Sequence, residues 1–230
     1  RRACEPIVFG DLAWLRRIQK TALRKTPAAR LTLAADPKQR ADVRVVNFAN
    51  VPATTKFGRA SAAAGRASGA YIESAVDAVV RRFADALVTA PINKASFHLG
   101  GWGKKFVGHT EMLAALTRTK DAGLMLVHGP LRVIHVTSHV PLKKVPGLIT
   151  LKRVLATIHL ADGAAKSMGI KRPRIAVCGL NPHAGDGGIL GNEEKVVIAP
   201  AIRRAKAAGL RAEGPFSADA VWPWMLAGRY

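Results

Sequence analysis

The chain has 230 residues, 49% hydrophobic and 22% charged, a globular composition that excludes wholesale disorder and allows one large domain or two smaller ones. Its 36 basic against 15 acidic residues leave a net charge of +21, a field that draws polyanions and anionic small substrates alike. No stretch is apolar for long enough to span a bilayer, Arg1 to Pro6 hold no signal-peptide apolar run, and two cysteines (Cys4, Cys178) cannot build a disulfide framework; a cytoplasmic protein without a membrane partner is expected.

The basic residues are scattered, mostly as pairs such as Arg16-Arg17, Arg81-Arg82, Lys104-Lys105, Lys143-Lys144 and Arg203-Arg204, and aromatics are only 6%. No stacking platform results, so specific nucleic-acid binding is not expected, and the charge predicts only salt-sensitive adhesion to polyanions.

In chain order, Pro6 to Gly10 reads as a buried strand, and Asp11 as the N-cap of a helix running to about Arg24. The chain thus opens in the middle of an α/β pattern. A second strand is expected at Arg44 to Phe48, a helix from Ser61 to about Ala84, and a third strand at Ala86 to Thr89 that runs into Ala90-Pro91-Ile92-Asn93-Lys94. After a glycine-rich loop, a helix starts at Gly108-His109-Thr110-Glu111 and continues to about Leu116. Leu124 to Val127 and Arg132 to Val136 read as strands joined by a tight turn at His128-Gly129-Pro130, and Thr137-Ser138-His139-Val140 follows. A helix from about Ile149 to Met168, a strand at Arg174 to Cys178, a helix from Glu193 to Ala208 and a helix start near Ser217 complete the pattern. The fold class is α/β, a mostly parallel sheet with helices on both faces, with the chain divided into residues 1–105 and residues 106–230.

One loop stands apart. Gly179 to Glu194 joins a strand to a helix with four glycines between positions 185 and 191, beside Asn181, His183 and Asp186. Glycines free the backbone for left-handed turns or close approach, and ligands of open α/β sheets sit at the carboxyl ends of strands. A long structural turn is the alternative. His109, His139 and His183 share this kind of context, lying 30 and then 44 positions apart, and a parallel sheet can gather such residues on one edge. Imidazoles suit Zn, Co or Fe, and a carboxylate among the ligands would admit Mg or Mn. A site needs at least three protein ligands, and histidines hydrogen-bonded for structural reasons alone are common. His98, His128, His135 and His159 read as structural or surface residues. The chain holds no nucleophile elbow, no phosphate-binding P-loop and no complete dinucleotide fingerprint, since Leu190 stands where the last glycine would be.

Five motifs in order carry a resemblance: Val88-Thr89-Ala90-Pro91-Ile92-Asn93-Lys94, Gly108-His109-Thr110-Glu111, Thr137-Ser138-His139-Val140-Pro141-Leu142, Asn181-Pro182-His183-Ala184-Gly185-Asp186-Gly187-Gly188 with Gly191-Asn192-Glu193-Glu194, and Gly214-Pro215 with Ala218-Asp219. Together they make the whole chain similar to the 4-hydroxythreonine-4-phosphate dehydrogenase family of pyridoxal phosphate biosynthesis. The resemblance implies a fold like that of isocitrate and isopropylmalate dehydrogenases, a homodimer, and oxidation of a small phosphorylated hydroxy acid by NAD with a divalent metal (Zn, Mg or Co). The product would be a 2-amino-3-oxo acid that decarboxylates. By position, His139 and His183 would be metal ligands, and His109 and Thr110 would contact the substrate; no catalytic or NAD-contacting residue is assigned. The family pattern also has a glycine-rich segment before the first strand, and beyond the equivalent of Tyr230 a third metal histidine and residues for the substrate phosphate, so a chain truncated at both ends is expected. Two enzymatic alternatives keep the chemistry and change the substrate, to a threonate or erythronate 4-phosphate or to a dihydrodiol. A third alternative is a non-catalytic basic polyanion-binding protein or inactive fragment.

Overall fold

The computed structural model describes residues 4–25, 29–34 and 42–230. The chain forms two compact units, Arg1–Lys120 and Asp121–Tyr230.

The first unit is built on a parallel sheet. Strand β1 (Ile7–Gly10) runs into helix α1 (Leu12–Lys20) through Asp11, whose carboxylate accepts the Trp14 N–H at 3.2 Å with one oxygen and the Val51 N–H at 3.2 Å with the other. That is the N-cap the sequence points to, and it also ties the helix start to a distant loop. The helix ends four residues before Arg24, at Lys20, where the Thr21 hydroxyl bonds back to the Arg17 carbonyl at 2.8 Å. Strands β2 (Leu31–Leu33) and β3 (Val43–Asn47) complete a sheet in the order β1-β3-β2, all parallel. With three residues, β2 is too short to show a period.

Helix α2 (Ala62–Val80) is capped by Ser61, whose hydroxyl oxygen accepts the Ala64 N–H at 3.1 Å. Helix α3 (Lys94–Leu99) is capped by Asn93 on the Ser96 N–H at 2.8 Å. These two helices touch backbone to backbone: a Cβ on Gly65 would fall 1.7 Å from the Ser96 carbonyl oxygen, so only glycine fits there. Helix α4 (His109–Leu116) completes the core, in which Ile72, Val76, Phe97 and Met112 are buried together. Burying a side chain such as Phe97 is worth about 1.5–3 kcal/mol. The expected strand at Ala86 to Thr89 is absent. Its backbone joins no ladder among the described residues, and Val88 is 93% exposed.

In the second unit, β4 (Met125–His128) and β5 (Leu131–Ile134) form an antiparallel hairpin about Gly129 and Pro130. A single turn, α5 (Val145–Leu148), precedes α6 (Leu151–Ser167), which is capped by Thr150 on the Arg153 N–H at 3.2 Å. Arg153 then fastens α6 to the hairpin region, donating to the carbonyls of Val136 (2.8 Å) and Ala122 (3.1 Å). Strand β6 (Ile175–Cys178) precedes helix α7 (Ala199–Ala207), and β7 (Ala212–Phe216) pairs parallel with β6 before α8 (Ala218–Leu226). The core packs Val154 and Ile158 of α6 against Ala201, Ile202 and Ala205 of α7. Strand β7 was hidden in the sequence, because Gly214-Pro215 inside it reads as a turn. The architecture is α/β with parallel pairing in both units, as expected, its strands lying in three separate groups. No helix among the described residues is long and apolar enough to cross a membrane.

Candidate functional site

The glycine loop after β6 is the most unusual backbone in the second unit. Six successive residues, His183 to Gly188, have positive φ, from +43° at Asp186 to +106° at Gly188. For a residue with a Cβ this conformation costs about 1–2 kcal/mol, and three of the six (His183, Ala184, Asp186) carry one, so the segment costs roughly 3–6 kcal/mol. Something must hold it.

Glu194 does so. Buried to 4% exposure, its Oε1 accepts the backbone N–H groups of Leu180 and Asn181, both at 2.8 Å, and its Oε2 accepts the Asn181 side-chain amide at 3.1 Å. The same amide donates to Glu193 Oε2 at 2.9 Å, and the Lys195 ammonium donates to the Gly187 carbonyl. At about 1.5–3 kcal/mol for each hydrogen bond to a buried charged acceptor, the three bonds to Glu194 are of the size needed to offset the strain. Burial pushes the Glu194 carboxyl upward, but the Asn181 and Leu180 donors pull harder, and it ends below the ordinary range. Gly185 leaves room for this carboxylate, since a Cβ there would fall 2.7 Å from Glu194 Oε2. Glu194 opens the following helix with a π turn, Glu194–Ile198, where a continuous α-helix was expected. Pro200 has no N–H for the Val196 carbonyl, so the α ladder is broken there. Such turns are frequent at functional sites.

The loop faces the start of α8 across a pocket of about 340 Å³, walled by Gly179 to His183 on one side and by Ser217 to Asp219 on the other. The Ser217 hydroxyl donates to Asp219 Oδ1 at 2.5 Å and is the main cause that lowers the Asp219 carboxyl; the charge of His183 lowers it further. An imidazole and a carboxylate therefore share one pocket. Cys178, at the end of β6, is half-buried and burial raises its thiol, in keeping with a core residue rather than a nucleophile.

His139 occupies the matching place on the hairpin. It follows the last residue of β5 by five positions, as His183 follows the last residue of β6, and it too is left-handed (φ +56°) and exposed. It is not part of the pocket wall. His109 is the first residue of α4, in the first unit, with its Nε2 buried and without a hydrogen-bond partner, and Thr110 beside it is exposed. A metal centre built from side chains needs three donors. Among the described residues no three histidine, cysteine, aspartate or glutamate side chains stand together to hold an ion.

Neither Glu194 nor Asp219 was given a role from sequence. The signal for both was their scarcity, as acidic residues are outnumbered more than two to one and still cluster at this loop and the start of α8.

A family model described as pyridoxal phosphate biosynthetic protein PdxA matches residues 2–230. The chain belongs to the PdxA family. The D-threonate 4-phosphate dehydrogenase of Cupriavidus necator is 39% identical over 227 residues, which is 96% of this chain and 67% of that protein. The crystal structure of a 4-hydroxythreonine-4-phosphate dehydrogenase from Klebsiella pneumoniae superposes with a TM-score of 0.89 at 34% identity, covering all of this chain and 71% of its own. A terephthalate 1,2-cis-dihydrodiol dehydrogenase from Burkholderia xenovorans is more distant, at a TM-score of 0.62 and 28% identity over 93% of this chain and 65% of its own. These relatives are dehydrogenases, and the PdxA-family chain is an oxidoreductase.

Proposed function

We propose that this PdxA-family chain oxidises the secondary alcohol of a small phosphorylated hydroxy acid, with NAD as hydride acceptor, as a homodimer in the cytoplasm. The names of its relatives support two substrates that differ at one carbon, 4-phosphohydroxy-L-threonine with a 2-amino group and D-threonate 4-phosphate with a 2-hydroxyl. The first would place the chain in pyridoxal phosphate synthesis, where the 2-amino-3-oxo product loses carbon dioxide; the second rests on the 39% identity to the Cupriavidus necator protein. A dihydrodiol has weaker support, from the more distant Burkholderia structure.

The observation that carries this reading is His183, held on the left-handed loop across the pocket from Asp219. Removing a hydride from a carbinol carbon leaves a proton on its oxygen, and an imidazole facing a carboxylate can hold that hydroxyl and accept its proton. The net charge of +21 draws a phosphorylated, carboxylated substrate toward the protein. We propose His109 and Thr110 as substrate contacts, and His139 and His183 as the residues that would donate to a divalent cation (Zn, Mg or Co). The donor set is incomplete, so no step is assigned to that ion. The test is NAD reduction on addition of either phosphorylated acid; reduction with one of them supports the proposal, and reduction with neither refutes it.

A further inference from the structure

The second unit contains a cavity of about 640 Å³ that the pocket at His183 does not explain. Two of its walls are strands: residues 132–137, which include most of β5, and residues 173–180, which include all of β6. The other walls are apolar faces of helices, Val154, Ile158 and Ala161 of α6, and Val221 and Met225 of α8. Strand edges at the sides and helices over the rest describe a sheet layer with one strand left out.

The hydrogen bonding agrees. β5 pairs with β4 and β6 pairs with β7, and neither has a second partner among the described residues. On the hairpin, Leu131 pairs with His128 across a two-residue turn and the His135 N–H reaches the Leu124 carbonyl at 3.0 Å, so the amides of residues 131, 133 and 135 serve β4. By alternation the amides of Arg132 and Ile134 face the slot. On β6, the N–H groups of Ile175 and Gly179 go to the carbonyls of Arg211 (2.9 Å) and Phe216 (2.8 Å), so those of Ala176 and Cys178 face the slot from the other side. Arg132 also has its Nε buried there without a partner. A buried donor of this kind is destabilising until an acceptor arrives.

We propose that this slot is the seat of an apolar β-strand, supplied by a segment equivalent to the part of the longer relatives that the chain does not match, a third of the Cupriavidus necator protein. The strand would pair with β5 and β6 at once, offer a carbonyl to Arg132, and fill the apolar space against α6 and α8. Pairing on both edges selects an extended backbone over a helix, and the Val, Ile and Ala walls select apolar side chains on both faces. A small apolar ligand would leave four strand amides unpaired.

The test is residue-resolved amide hydrogen exchange on the intact 230-residue chain, alone and with an excess of overlapping synthetic peptides that tile the unmatched third of the Cupriavidus necator protein. One apolar peptide is expected to slow exchange at Arg132, Ile134, Ala176 and Cys178 by roughly tenfold or more, with little change at Val133 and Ile175, which are already paired. The proposal is overturned if no peptide slows those four amides, or if in the chain alone they already exchange as slowly as Val133. It is equally overturned if they slow on raising the chain concentration without peptide, because the slot would then be filled by a second copy.

Discussion

Glu194 accepts from Asn181 twice, through the backbone N–H at 2.8 Å and through the side-chain amide at 3.1 Å, across 13 residues of sequence. This contact fixes both ends of the segment that presents His183. Replacing Glu194 with Ala removes the acceptor of two backbone donors and is expected to lower unfolding free energy by roughly 2–4 kcal/mol in urea titration. Glu194→Gln keeps one acceptor oxygen and should lose less than half as much. Equal losses in the two variants would contradict the assigned geometry.

The same carboxylate sets an acid limit. Its folded pKa lies below the unfolded value of about 4.3, so it contributes stability that is present above that pH and lost as pH falls through the folded value. The stability gap between the wild type and Glu194→Gln should therefore be widest above pH of about 5 and narrow in more acid solution. A gap independent of pH would contradict it.

Two glycines of the loop separate strain from space. Gly187 has φ +68° with open space around its Cβ position, and Gly185 has φ +81° with Glu194 Oε2 2.7 Å away. Gly187→Ala is expected to cost about 1–2 kcal/mol, the backbone strain alone. Gly185→Ala must also displace the carboxylate, and should cost clearly more in the same titration.

Both tyrosines of the chain are raised above the ordinary value. Burial, with the nearby charge of Asp11, pushes Tyr71 up to about 12; burial and then the hydrogen bond to Glu213, at 2.6 Å, raise Tyr230. A tyrosinate absorbance titration of the folded chain should show no ordinary step at pH of about 10, and denatured chain should show both there. Raised acids stabilise the fold below the unfolded pKa and lose that contribution as pH rises through the folded one, so stability should fall from about pH 10 upward.

Asp219 is exposed at the start of α8, so Asp219→Asn should leave the unfolding midpoint unchanged. In the reaction proposed it faces the hydroxyl that loses its proton, and the substitution is expected to lower kcat by about 10²-fold, the lower end of what a positioned acid–base group contributes. Unchanged kcat would remove Asp219 from the site.

Caps and apolar runs were legible in the sequence because they are local. Asp11 and Ser61 cap the helices they precede, and Arg174 to Cys178 marks β6 within one residue. What was illegible depends on contacts distant in the chain. Glu194 reads as one more helix-start carboxylate until the loop folds back onto it. Glycine announces positive φ at positions 185 and 187, but Ala184 and Asp186 adopt it only because the loop is held at both ends. Helix α3 was missed although Asn93 is a good cap, because six residues are too few for a helical period. Ala86 to Thr89 failed in the opposite way, with strand-like residues that pair with no strand among the described residues.

The most direct measurement is reduction of NAD followed by nicotinamide absorbance, with D-threonate 4-phosphate and 4-phosphohydroxy-L-threonine offered separately, for the wild type and His183→Ala, with Zn, Mg or Co supplied in turn. Substrate-dependent reduction by the wild type is expected with at least one of the two acids, and its loss in His183→Ala while the unfolding midpoint stays the same. No reduction with either acid, or full activity in the His183 variant, would contradict it.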